Sequence, residues 1–159
     1  MQDIVRGYRP GAIGRIVQMH GRYYARDWGF PPSFEALVAR ELADFVDGYD
    51  PARDGLWLLD PQRVVGSIAL VGPRGEEPAR LRWFIVDDEA RGSGAGALLM
   101  QAAMDFARAA GFRRVYLTTF AGLDAARRLY ERHGFNLTGE SPDDHWGATV
   151  NEQRFDWHA

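Results

Sequence analysis

Trp83-Phe84-Ile85-Val86-Asp87-Asp88-Glu89-Ala90-Arg91-Gly92-Ser93-Gly94-Ala95-Gly96 is the stretch on which the reading of this chain turns. Its first part is an apolar, strand-like run, and its second is a glycine-rich loop that opens an amphipathic helix. Glycine lets backbone approach a ligand closely, the first N–H groups of a helix lack internal acceptors, and the helix dipole places about half a positive charge at that end. Together these make an anion site, and Arg91 adds a fixed cation suited to phosphate. The plainer alternative is that the glycines only form a tight turn. A nucleoside triphosphatase loop needs Gly-Lys-Ser/Thr at its end, and Gly96-Ala97-Leu98 lacks it. Gly92, Gly94 and Ala97 satisfy the dinucleotide pattern G-x-G-x-x-A, but that fold needs an acid roughly 20 residues on. The next strand ends Thr118-Thr119-Phe120, with no acid.

The elements on either side set the fold class. A short strand is expected over 2–8, then a helix over 12–28 with Ile13, Ile16, Val17, His20, Tyr24 and Trp28 on one side. Ser33 is the expected N-cap of a second helix over 34–47, whose stripe is Phe34, Leu37, Val38, Leu42 and Phe45. Strand-like runs at 55–60, 63–71 and 79–87 are separated by Asp60-Pro61 and Gly72-Pro73-Arg74-Gly75, which predicts an antiparallel meander. After the loop a helix over 94–110 carries Leu98, Leu99, Ala102, Phe106 and Ala109 on one face and stops at Gly111. A strand over 114–120 and a short helix through Leu123, Ala126, Leu129 and Tyr130 to Gly134 complete a parallel crossover. Runs near 135–140 and 147–157, around Ser141-Pro142-Asp143-Asp144, predict a closing hairpin-like pair. The class is α/β (α+β): one mixed, mostly antiparallel sheet flanked by helices.

Composition bounds the function. The chain has 159 residues, enough for a single domain (1–159) with its own core. Hydrophobic residues make up 46% and charged residues 26%, with 18 Gly and 8 Pro, which excludes disordered and collagen-like chains. The absence of cysteine removes disulfides, thiolate zinc sites and a catalytic cysteine, and fits a reducing, cytoplasmic setting. A net charge of −3 gives no general attraction for nucleic acid or anionic lipid, so neither partner is expected. The longest uncharged stretch, 92–104, is too short to span a bilayer, and Asp3, Arg6 and Arg9 leave no apolar signal core at the start. His20, His133, His145 and His158 have no metal-ligand spacing, and Ser93 lacks the glycine of a nucleophile elbow, so no metal and no serine hydrolase chemistry is expected.

Two motifs carry a family resemblance. Arg91-Gly92-Ser93-Gly94-Ala95-Gly96 reads R-x-x-G-x-G, and Ala126-Arg127-Arg128-Leu129-Tyr130-Glu131-Arg132-His133-Gly134-Phe135 reads A-x-x-L-Y-x-x-x-G-F. Over about residues 55–140 the chain resembles the GNAT superfamily of acyl-CoA-dependent N-acyltransferases. It looks most like the acetyltransferase half of two-domain regulators that also carry a MarR-type winged helix, without a DNA-binding half in this sequence.

The resemblance implies the acyl-CoA N-acyltransferase fold, with a V-shaped opening between the strands at 79–87 and 114–120. Residues 1–54 become the acceptor side, 55–140 the cofactor-binding core and 141–159 a C-terminal strand region. Acetyl-CoA is the implied co-substrate, its pantetheine on the backbone of Phe84, Ile85 and Val86 and its pyrophosphate on residues 91–96, with Arg127 a candidate phosphate contact. Tyr130 takes the position of the family's general acid. A phenol of reference pKa near 10 can return a proton to a thiolate. The plainer reading of Tyr130 is an amphipathic core residue. The implied function is acetyl transfer to a primary amine of a small molecule or peptide in a ternary complex, and homodimer formation is left open. Leu123 stands where many relatives have an asparagine, and Arg80 and Arg82 stand on a strand where others carry a glutamate base. These departures keep a non-catalytic acyl-CoA-binding or regulatory module as the alternative.

Periodicity adds two candidates. His20 lies between Ile16, Val17 and Tyr24, and Glu41 between Leu37, Val38 and Phe45, each within an apolar stripe. A solvated helix face would not place them there. They are candidates for the base or for acceptor binding, against the alternative of a hydrogen-bonded His–Glu pair or two separate packing residues.

Overall fold

A computed structural model describes residues 3–147 and 149–159. In chain order its elements are β1 (Ile4–Arg6), α1 (Ala12–Trp28), α2 (Pro32–Asp47), β2 (Gly55–Leu59), β3 (Gly66–Val71), β4 (Ala79–Val86), α3 (Ala95–Ala109), β5 (Arg114–Phe120), α4 (Asp124–Arg132), β6 (Asn136–Asp143) and β7 (Val150–His158). One sheet runs β1-β2-β3-β4-β5-β7-β6. Its described neighbours are antiparallel except β4 and β5, which are parallel. Short turns can only fold a strand back on itself, whereas the connection through α3 is long enough to return in the same direction.

Both faces of the sheet are covered. Along β2, Trp57 and Leu59 pack with the α3 side while Leu56 and Leu58 pack with α1 and α2, so this strand is buried throughout. Helix α3 lies against β2, β3 and β4 and buries Leu99, Met100, Ala103, Met104 and Ala107. The expected stripe was turned by about one position, and Leu98 is exposed. Helices α1 and α2 pack on each other and cover the opposite face with Ile16, Met19, Val38, Leu42 and Phe45. Among the described residues no helix is long and apolar enough to cross a membrane.

Three local expectations are corrected. Helix α2 starts at Pro32, with Pro31 rather than Ser33 at the cap and no side-chain cap bond. Proline at the first helical position loses no helical hydrogen bond and presets φ, so the Pro-Pro pair sets the boundary. Strand β3 begins later than 63 because Asp60 and Val64 adopt φ of 55° and 49° in the turn. At the other end Ser141, Pro142 and Asp143 belong to β6, where Pro142 is opposite Asn151. Proline is tolerated there because β6 is the edge of the sheet.

The feature that positions the site is a bulge in β4. Ser67 pairs with Ile85 and Ala69 with Arg82, so Trp83 and Phe84 together oppose Ile68. Trp83 has φ of 50°, a region that costs a non-glycine residue roughly 1–2 kcal/mol. The buried Ser67 hydroxyl donates to the Trp83 carbonyl at 2.7 Å and holds this conformation. The extra residue resets the alternation. Ala79 and Leu81 face α3 before the bulge, Phe84 and Val86 pack there after it, and Trp83 and Ile85 turn towards α1 and α2.

Candidate active site

β4 and β5 are paired only at Ala79 with Val115 and Arg80 with Tyr116, then part. β5 stays paired with β7 from Arg114 to Phe120, so the bulged strand is the one that leaves. Among the described residues the backbone of β4 from Leu81 onward has no strand partner on that side. The opening is a cleft of about 630 Å³ that reaches through the sheet and is lined from both faces.

The end towards α3 is built of bare backbone. Gly92 and Gly94 have φ of 78° and 84°, and a Cβ on either would meet no atom within 4 Å. Only glycine adopts this turn without strain, and the space above it is open. Gly94 at the N-cap of α3 makes no side-chain cap bond, which leaves first-turn N–H groups for an anion. At Gly96 a Cβ would lie 3.4 Å from both Leu129 Cδ2 and Phe84 Cζ, a position that keeps the floor of the cleft low. Arg91 is fixed at the loop entrance: its Nε donates to the Val86 carbonyl at 3.1 Å, its Nη1 lies 3.1 Å from Asp88 Oδ1, and it sits 4.6 Å over the Tyr23 ring. Ser93 Oγ donates to the Ala90 carbonyl and shapes the same turn. These residues fit a diphosphate by observation, with open space, oriented N–H groups and one held cation.

Tyr130 lines the cleft from α4, at 6% exposure. Burial pushes its phenol well above the usual tyrosine range, and a hydrogen bond with the Thr119 side chain acts in the opposite direction. It therefore carries its proton at neutral pH. Tyr24 reaches the same opening from α1 and is also pushed up, first by burial and then by the charge of Tyr130.

The structure separates the two candidates on the early helices. His20 lines the cleft, and its Nδ1 lies 2.8 Å from the Ile16 carbonyl. A carbonyl only accepts, so Nδ1 carries the hydrogen and Nε2 the lone pair. Burial lowers its pKa to about 4, partly opposed by that hydrogen bond, so the ring is neutral. Glu41 does not meet it. Its Oε2 accepts from Arg82 Nη2 at 3.0 Å, and it is not among the residues lining the cleft. Arg127 is directed elsewhere too, 3.7 Å from Glu131 and 5.6 Å from the Phe155 ring centre. Phe84, Ile85 and Val86 all line the cleft, although the Val86 carbonyl is engaged by Arg91.

Sequence reasoning missed the wall towards α1 and α2. Tyr24, Phe34 and Phe120 line the cleft there, and Trp28, Phe30 and Trp146 back them, with ring centroids 4.9–6.1 Å apart. The i,i+4 spacing of Tyr24 and Trp28 was the one local sign of it. His145, at the β6–β7 turn, pairs with Asp143, and donor atoms of Asp143, Asp144 and His145 lie within 4.8 Å of one another outside the cleft.

A model of the Acetyltransferase (GNAT) family matches residues 15–135. The chain belongs to that family. This GNAT chain is 30% identical over 130 residues to N-acetylaspartate synthetase of Danio rerio, an overlap of 80% of this chain and 46% of that protein. It spans about half the length of the curated relatives it matches. Among solved structures it resembles an acetyltransferase of the GNAT family from Staphylococcus aureus Mu50, with TM-score 0.77, 15% identity and 99% of each chain covered. It also resembles a chain of the NatC complex bound to Gag peptide and CoA, with TM-score 0.73, 16% identity and 99% of each chain covered. At those identities the likeness is one of fold.

Proposed function

We propose that this protein is an acetyl-CoA-dependent N-acetyltransferase that acts on a primary amine of a small molecule or peptide by direct attack in a ternary complex. The observation that carries the reading is the parting of β4 and β5 after two rungs, with an anion-binding glycine loop at one end of the gap and a protonated Tyr130 inside it. Gly92, Gly94 and the first N–H groups of α3 would hold the diphosphate, with Arg91 beside them. The unpaired backbone of β4 at Phe84 and Ile85 would take the pantetheine amides. Bound acetyl-CoA supplies a thioester, whose acyl carbon accepts an amine and whose sulfur departs as a thiolate.

Tyr130 serves as the acid, because a phenol raised by burial keeps its proton until a strongly basic thiolate forms beside it. His20 accepts a hydrogen bond from the incoming amine through Nε2 and orients it. With a pKa near 4 it holds a proton too weakly to be a strong base, so the amine proton leaves through water. Glu41 acts on the acceptor side by holding Arg82. Residues 1–54 form the acceptor side, 55–140 the cofactor-binding core and 141–159 a C-terminal strand region of one domain working in a reducing, cytoplasmic setting.

Leu123 at the cap of α4, together with Arg80 and Arg82 on β4, favours a second reading: a non-catalytic acyl-CoA-binding or regulatory module like those fused to MarR-type regulators. One experiment separates the two. Acetyl-CoA is titrated calorimetrically into wild type and Gly94→Val, and thiolate release is followed with an amine panel. Binding by wild type, its loss in the folded variant and release with an amine support the enzyme. Binding with no release across the panel supports the module, and equal affinity in both proteins removes the loop from the site.

A further inference from the structure

The wall of the cleft towards α1 and α2 carries a chemistry that acetyl transfer alone does not require. Residues alternate across a strand, so Thr119 reaches Tyr130 on one face of β5 while Thr118 and Phe120 belong to the other. On that other face Arg80 Nη2 donates to Thr118 Oγ1 at 3.1 Å, and its guanidinium lies 5.5 Å from the Tyr116 ring centre. Arg82, two residues along β4, is answered by Glu41 at 3.0 Å. Arg80 has no such answer. Among the described residues it forms no ion pair, and its buried Nε has no hydrogen-bond partner. The carboxylates of Glu41 and Glu152 reach it only through their fields, while burial and Arg82 push its pKa below the ordinary arginine range.

A half-buried guanidinium that lines the cleft and, among the described residues, meets no carboxylate selects an oxyanion, because carboxylate satisfies both charge and N–H geometry. It also selects against the commonest amines. An alkylamine or polyamine arrives as a cation and meets on this wall two arginines of which only Arg82 is paired with a carboxylate, so a good acceptor must bring its own negative charge. Arg80 forms the last rung before the strands part and reaches Thr118, the neighbour of the residue that holds Tyr130. Arg80 and Tyr130 line one cleft, so the anion and the reacting amine are read as parts of one acceptor. Beside it stand the rings of Tyr24, Phe34 and Phe120, which offer an apolar surface to whatever the same carbon bears.

We propose that the acceptor is a free α-amino acid with an aromatic or bulky apolar side chain, its carboxylate on Arg80 and its side chain against Tyr24, Phe34 and Phe120. This rests on the acetyltransferase reading. The unprotonated α-amine forms the new C–N bond as the C–S bond of the thioester breaks, the displaced N–H proton passes to water, and Tyr130 protonates the sulfur. The products are the N-acetyl amino acid and the free thiol.

The test compares L-phenylalanine with phenethylamine, which differ only in the carboxylate, as acceptors for wild type and Arg80→Gln. Binding of N-acetyl-L-phenylalanine to both proteins in the presence of CoA is measured calorimetrically. For wild type kcat/KM is expected to favour L-phenylalanine by about 100-fold or more, a preference that Arg80→Gln cuts to within about 10-fold, chiefly through KM. L-Alanine, which lacks the ring, is expected to be about 10-fold poorer than L-phenylalanine. N-acetyl-L-phenylalanine should bind wild type and not the variant. Phenethylamine turned over as well as L-phenylalanine, or a preference unaltered by Arg80→Gln, overturns the acceptor class and leaves the acetyltransferase reading standing. Arg80-dependent binding with no thiolate released by any amine instead overturns the acetyltransferase reading, and with it the amino acid as acceptor.

Discussion

At the scale of single residues, Tyr130 and His20 show how burial assigns a proton. Both were legible as members of apolar helix stripes; what periodicity could not show is that Tyr130 bonds Thr119, which lies on β5 rather than on its own helix, or that His20 turns Nδ1 back to the Ile16 carbonyl. Tyr130→Phe keeps the ring and removes the proton, so kcat is expected to fall by about 10²–10⁴ with acetyl-CoA affinity little changed, as read from single-turnover kinetics and calorimetry. His20 gives a stability signature. Its folded pKa of about 4 lies below the unfolded value near 6.5, so between those values the unfolded chain binds a proton that the folded one refuses. Stability is therefore intact above pH 6.5 and declines as the pH falls towards 4, by a total of about 3 kcal/mol at this buried site. Urea melts at pH 7 and pH 4.5 should show the decline in wild type and a smaller one in His20→Gln. Parallel behaviour of the two proteins would mean that the ring protonates freely in the folded state.

At the scale of elements, the glycine loop and the crossover were readable because each is local: strand, loop and helix follow one another within a few residues. The bulge in β4 was not, since Trp83 depends on the Ser67 hydroxyl, which β3 brings against it from sixteen positions away. Nothing in Arg82-Trp83-Phe84 marks an extra residue, and an unbroken alternation would have sent Phe84 to the wrong face. Ser67→Ala leaves the bulge carbonyl buried without its donor. The expected cost is about 1–3 kcal/mol in urea denaturation, with weaker acetyl-CoA binding as β4 relaxes towards a regular strand. A variant as stable as wild type with unaltered affinity would show that the bulge holds itself.

Across the whole molecule the meander, the parallel crossover and the closing pair followed from the sequence, while the place of β7 between β5 and β6 and the aromatic wall did not. Tyr24, Phe34, Phe120 and Trp146 come from two helices, a strand end and the final turn, and only the finished fold gathers them. The same fold leaves a seam down the middle of the sheet. Hydrogen exchange of the 81–86 segment should be fast for a central strand and slow markedly when acetyl-CoA is added; a rate that acetyl-CoA does not change would put the donor elsewhere. The seam has a further consequence. Sheets ordinarily keep raw edges at their margins, where charge, proline or a short strand discourages a second chain from adding on, as Pro142 does on β6. By opening between β4 and β5 this protein carries two more edges at its centre, flanked by apolar rings rather than by charge alone. Under the proposed function, a donor bound in the seam covers both edges and so also guards the protein against self-association.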